Sequence, residues 1–119
     1  MSDPNCIFCK IVRGEIPAKK VYEDDEVIAF NDIRPQAPVH ILVVPKAHVA
    51  TLYDAQPVHQ SALGKMLTVA GRLAREAGAA DGFRTIINNG RVGHQEVYHV
   101  HMHVLGGTEP LGPMLSRRK

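Results

Sequence analysis

The segment His99-Val100-His101-Met102-His103-Val104-Leu105 places three imidazoles at alternate positions among aliphatic residues. Extended backbone sends successive side chains to opposite faces, so the three rings share one face at spacings of about 6–7 Å, and Val100, Met102 and Val104 share the other. A helix would scatter residues two apart by roughly 200°, and valine favours the strand. The expectation is a strand over 99–105 with a buried aliphatic face and a working imidazole face. Imidazoles that titrate near neutral pH suit three tasks: holding an anion such as phosphate, ligating a metal, and moving protons.

Within this run His101 is the best-placed nucleophile, because it has a histidine on either side. Attack on phosphorus would give a phosphohistidine that water then cleaves. One ring nitrogen must be unprotonated, and a backbone carbonyl or polar neighbour must hold the other. Charge building on the phosphoryl oxygens needs donors, for which His103 and the backbone N–H groups around Gln95, Glu96 and Val97 are candidates. A second cluster is suggested by Cys6-x-x-Cys9, which has the spacing of half a zinc site, with His48 and His99 able to complete it. The alternative there is a pair of reduced, partly buried cysteines. By pattern alone Asp32 reads as a turn or cap residue and Asn88 as a turn former. His40, inside an apolar run, reads as structural, and His59 and His94 read as surface residues.

Several elements must position these groups. Cys6–Val12 has roughly helical apolar spacing and stops at Gly14, which predicts a short helix or turn. Val21–Glu23 and Glu26–Phe30 flank Asp24-Asp25 and predict a hairpin. His40–Val44 is a nearly continuous apolar run closed by Pro45, as expected of a central strand. Between Pro57 and Ala77 the residues Leu63, Met66, Leu67, Ala70, Leu73, Ala74 and Ala77 recur at intervals of three and four, the stripe of one long amphipathic helix that Gly78 stops. Phe83–Asn88 reads as a further strand, followed by a loop through Gly90 and Gly93. Short connections among the strands favour an α+β arrangement, an antiparallel sheet crossed by a helix.

A chain of 119 residues that is 45% apolar predicts one domain over 1–119 with a real core. The formal charge of +2 is small, and the basic residues are dispersed except for Arg117-Arg118-Lys119, read as a solvated tail, so no nucleic-acid footprint is expected. No run approaches the ~18 apolar residues of a membrane span, and none near the start suits a signal peptide. The expectation is a cytoplasmic chain without a membrane partner, in which two cysteines do not form a disulfide framework.

The histidine run resembles the motif of the histidine triad (HIT) superfamily. The resemblance extends through Phe8-Cys9-Lys10-Ile11-Val12-Arg13-Gly14-Glu15-Ile16-Pro17, Ala29-Phe30-Asn31-Asp32-Ile33, Pro35-Gln36-Ala37-Pro38, Val44-Pro45-Lys46 and Gln95-Glu96-Val97-Tyr98. His103 separates the chain from the uridylyltransferase branch, which has glutamine there. Gly106-Gly107 and Pro110-Leu111-Gly112-Pro113-Met114-Leu115 resemble the bacterial nucleotide-binding (Hint) branch more than the dinucleoside polyphosphate hydrolases. The resemblance implies a HIT-like fold with a five-stranded antiparallel sheet, one long and one short helix, and a homodimer with the long helix at its interface.

It also implies hydrolysis of the P–N bond of purine nucleoside 5′-phosphoramidates, such as adenosine 5′-monophosphoramidate, to AMP and an amine. By position His101 matches the nucleophile, and His99 and His103 its partners. Asp32 matches the residue that holds the ribose hydroxyls, with Phe30 and Ile33 in the base and sugar pocket. Asn88 lies near the phosphate, and Gln95, Glu96 and Val97 occupy the phosphate loop. Glu96 departs from the serine of animal members. Some bacterial relatives with the N-terminal cysteine pair are similar in binding structural zinc through Cys6, Cys9, His48 and His99. The chemistry itself requires no cofactor. The competing readings are a nucleotide-binding regulatory or scaffold protein with incidental hydrolysis, a dinucleoside polyphosphate hydrolase, and a metal-binding protein.

Overall fold

In the computed structural model, which describes residues 3–114, the chain opens with a single short helix and then lays down its sheet. Helix α1 (Ile7–Val12) is capped by the Cys6 thiol, which accepts from the Cys9 N–H. Strands β1 (Lys20–Glu23) and β2 (Val27–Asn31) form the expected hairpin. Its turn is built on Asp24, whose carboxylate accepts from the N–H groups of Glu26 and Val27. Strand β3 (Val39–Pro45) follows, then two single turns of 3-10 helix at Leu52–Asp54 and Pro57–His59. Helix α2 (Gln60–Glu76), β4 (Phe83–Ile86) and β5 (Met102–Gly106) complete the order. Leu115 and the terminal basic run lie outside the described residues.

The five strands pair antiparallel in the order β1-β2-β3-β5-β4. Every residue of β3 is buried, as suits a central strand covered on both faces. One face carries Val27, Ala29, Ile41, Val43, Met102 and Val104, packed against Met66, Ala70, Leu73 and Ala74 of α2. The other carries Ile28, Phe30, Leu42 and Val44, packed against Phe8 and Cys9 at α1. Each fully buried Val, Leu, Ile, Phe or Met contributes about 1.5–3 kcal/mol, so the unequal helices give unequal halves: an extensive layer under α2 and a thinner one under α1. Helix α2 ends as its glycine suggests, with Gly78 at φ +108° and the Ala79 N–H returning to the Ala74 carbonyl. The stripe is narrower than expected, because Leu67 is 60% exposed. Among the described residues no helix is long and apolar enough to cross a membrane.

The expected strand over 99–105 is corrected at its start. Pairing with β3 begins at Met102, opposite Val43, and the residues before it leave the ladder because the Val100 N–H is taken by the Val49 carbonyl at 2.7 Å. The alternation survives without the ladder: Val100, Met102 and Val104 are all fully buried in the α2 layer. The fourth strand is also shorter than expected, ending at Ile86, which leaves Asn88 in the following loop.

Candidate active site

Of the three alternating rings only two reach open space. His99 is fully buried, which corrects the expectation of a continuous imidazole face. Its Nε2–H donates to the Pro45 carbonyl at 2.7 Å, and its Nδ1 turns to the thiols of Cys6 and Cys9 at 3.3 and 3.5 Å. His101 and His103 instead line a cavity of about 470 Å³ together with Asp32, Ile33, Arg34, Gln36, His40, Asn88, His94 and Glu96. That volume is in the range of small-ligand sites.

His101 is held from below. Its Nδ1–H donates to the His99 carbonyl at 2.8 Å, and the edge of Phe8 packs against it at a centroid distance of 5.1 Å. A ring whose Nδ1 carries the proton has its lone pair on Nε2. The backbone carbonyl is thus the tautomer-fixing partner that the sequence reading required.

His103 and His40 form a second directed pair. The Gln36 backbone N–H donates to His40 Nδ1 at 2.9 Å, so His40 carries its proton on Nε2. That Nε2 lies 2.9 Å from His103 Nδ1 and 3.4 Å from Asp32 Oδ2. His103 therefore accepts at Nδ1 and bears its own hydrogen on Nε2. Burial is the main reason that His103 is pulled down to about 4, with the neighbouring His101 and His40 adding to it. Burial lowers His40 as well, opposed by the Asp32 carboxylate. Both rings are neutral at pH 7, and directed hydrogen bonds replace net charge.

His40 is buried within β3, as its apolar neighbours suggest, and it also borders the cavity. The strand pairing supplies the signal that a linear reading lacks. Leu42 sits opposite His103, which places His40 and His103 diagonally on one face, within reach of long side chains. His94 is exposed as expected, yet it borders the cavity, at φ +62°.

The other candidate residues divide. Asp32 combines its expected turn role, accepting from the Arg34 N–H at 2.8 Å, with a place in the cavity wall. Ile33 is 93% exposed at the rim, and Asn88 and Glu96 also line the cavity. Gln95 is buried and points elsewhere: it accepts from the Gly90 N–H and donates to the carbonyls of Ala50 and Val97, which pins the 90–97 loop. Gly93 is needed there, since a Cβ would fall 2.4 Å from the Asn89 carbonyl oxygen. Phe30 is buried against Phe8 at 5.7 Å, and Val97 packs on the same apolar layer. Gln95, Phe30 and Val97 are thus not among the residues that line the cavity.

The cysteine cluster assembles as its spacing suggests. Both thiols are reduced and buried, and Cys9 Sγ lies 3.4 Å from His48 Nδ1. The four donor atoms of Cys6, Cys9, His48 and His99 all lie within 4.8 Å of one another. Tetrahedral zinc with bonds of 2.0–2.3 Å needs donors roughly 3.3–3.8 Å apart. The ring chemistry also fits, because His99 is anchored through Nε2–H and presents a lone pair at Nδ1. Burial pushes the Cys6 thiol up.

The HIT domain family model matches residues 13–110. The chain is 55% identical over 113 residues to the purine nucleoside phosphoramidase of Escherichia coli (strain K12), covering 94% of each chain. A histidine triad protein from Clostridium difficile superposes with a TM-score of 0.88 at 47% identity, over 95% of this chain and 99% of that one. A zinc-bound histidine triad family protein from Mycobacterium smegmatis superposes with a TM-score of 0.78 at 38% identity, over 97% and 82%.

Proposed function

Since the chain belongs to the HIT domain family, we propose that it is a purine nucleoside phosphoramidase, working as one domain on P–N bonds of nucleoside 5′-phosphoramidates. The observation that carries this reading is His101, tethered at Nδ1 to the His99 carbonyl, in the wall of a cavity shared with His103 and Asp32. The Nε2 lone pair of His101 attacks the α-phosphorus. A new N–P bond forms, the bond to the amine breaks, and the departing nitrogen takes a proton from water in the open cavity. The imidazolium so created is stabilised by its Nδ1–H bond to the carbonyl. His103 offers its Nε2–H to a phosphoryl oxygen throughout. The hydroxide left by that proton transfer then attacks phosphorus, the N–P bond to His101 breaks, and AMP leaves with His101 restored.

Asp32 holds the ribose hydroxyls with the acceptor capacity left beyond the Arg34 N–H, and Ile33 gives the base an apolar ledge. Asn88 and Glu96 flank the phosphate. Phe30, Gln95 and Val97 act indirectly, by fixing Phe8 and the loop. Zinc held by Cys6, Cys9, His48 and His99 supplies a closed structural crosslink between the N-terminal turn and the core. The zinc-bound relative supports that assignment. We place the protein in the cytoplasm and read it as a homodimer, the dimer being supported by the edge position of β4, its exposed Phe83 and the exposed Leu67 of α2. The test is incubation with adenosine 5′-monophosphoramidate, followed by intact-protein mass spectrometry. An adenylyl adduct that is lost in His101→Ala is expected; full hydrolysis by that variant would refute the nucleophile.

A further inference from the structure

Asp32, His40 and His103 place a carboxylate oxygen and two imidazole nitrogens within 4.8 Å of one another, the donor types and spacing that a divalent-cation site would need, at the wall of the cavity. We infer that the backbone N–H of Gln36 closes this site to metal and is a specificity-determining group: it keeps the cavity for the nucleotide while zinc goes to the thiol cluster. This rests on the phosphoramidase reading only for what the cavity is kept free to bind.

A histidine ligates through a nitrogen that has no hydrogen, and it stays neutral only if the other nitrogen carries one. His99 meets this condition, because its Nε2–H donates to the Pro45 carbonyl and Nδ1 is left free. His40 is wired in reverse. An N–H donor at 2.9 Å occupies its Nδ1 lone pair, so the ring hydrogen sits on the Nε2 that faces His103 and Asp32. A cation there would require an imidazolate, or a proton at Nδ1 colliding with the Gln36 amide hydrogen. The same wiring gives His103 its Nε2–H. One peptide N–H thus sets the hydrogens of two rings in series, and the difference between acceptor and donor behind the ring separates a metal ligand from a hydrogen-bond donor.

The test is long-range proton–nitrogen NMR of the histidine rings in the zinc-loaded protein, with no turnover measured, so that failure of the enzymatic reading leaves it intact. His40 protonated at Nε2 and His103 protonated at Nε2 are expected; a hydrogen on His40 Nδ1 overturns the inference. Zinc is then added beyond the first equivalent while the His40 and His103 resonances are followed. In the wild type they should not move at zinc concentrations that shift them in Gln36→Pro, which lacks the amide hydrogen and should bind zinc in the cavity about 10–100-fold more tightly. Stoichiometric capture of zinc by the wild-type pair, or a folded Gln36→Pro with unchanged affinity, would refute it. Should Gln36→Pro fail to fold, the wild-type tautomers and titration still decide.

Discussion

Two histidine clusters, separated by little more than the ring of His101, are built from similar donors and wired for opposite ends. Around Cys6, Cys9, His48 and His99 the far ring nitrogen of His99 meets a carbonyl. Around Asp32, His40 and His103 the far nitrogen of His40 meets an amide hydrogen. The two thiols are packed into the apolar layer beside Phe8, while His40 and His103 line the cavity that His101 shares. The lesson is that donor type and spacing do not distinguish a metal site from a hydrogen-bonding site; the atom behind the ring does.

The division of labour makes predictions that fall in order of size. His101→Ala should lower phosphoramidate turnover on the order of 10⁵-fold, as expected for a lost nucleophile, without changing zinc content by elemental analysis; substantial residual turnover would refute the nucleophile, and loss of zinc would merge the two clusters into one site. Cys9→Ser should release zinc and lower the melting temperature, with zinc affinity falling by more than ten-fold. Turnover at low temperature should fall far less than in His101→Ala. If the two losses were equal, the cysteine cluster would belong to the chemistry.

The next effect is in pH. His103 sits at about 4 when folded and at its ordinary 6.5 when unfolded, so the unfolded chain binds more protons in that window. Stability therefore falls as pH drops from about 6.5 towards 4, with a slope of up to about 1.4 kcal/mol per pH unit from this one ring. Chemical denaturation of His103→Gln across that range should show a shallower slope; an unaltered slope would mean the ring is not buried neutral. The smallest effect lies at the hairpin, remote from both clusters. Burial alone would raise Asp24, but the Tyr22 hydroxyl, the N–H groups of Glu26 and Val27, and Lys65 hold it down at about 2 against an ordinary 3.8. That stabilisation is present above about pH 4 and is lost as pH falls towards 2. Asp24→Asn should remove it, flattening the acid limb below pH 4 and leaving the histidine window as it was.

Much of this was legible in the linear sequence, for reasons specific to each element. Period-two alternation placed Val100, Met102 and Val104 in the core, and the spacing from Leu63 to Ala74 located α2. The start of β5 was not legible, because the partner of the Val100 N–H is a carbonyl at Val49, far away in the chain. The place of His40 at the cavity was not legible from its apolar neighbours, since it depends on strand register and on one amide hydrogen. Leu67 follows the helical period and still faces outward, because a period fixes a stripe but not its width. For the candidate site, the resemblance brought Asp32 and Asn88 to the cavity that pattern alone would have left as turn residues.

His99 serves the thiol cluster and the cavity through different groups: its imidazole turns to the thiols, and its peptide oxygen tethers His101. A side-chain replacement at 99 that preserves the peptide plane can strip the first cluster of a ligand and leave the tether in place. An inserted residue between 99 and 101 does the reverse, breaking the tether with every imidazole still present. The two sites share one address in the chain and can nevertheless be lost one at a time.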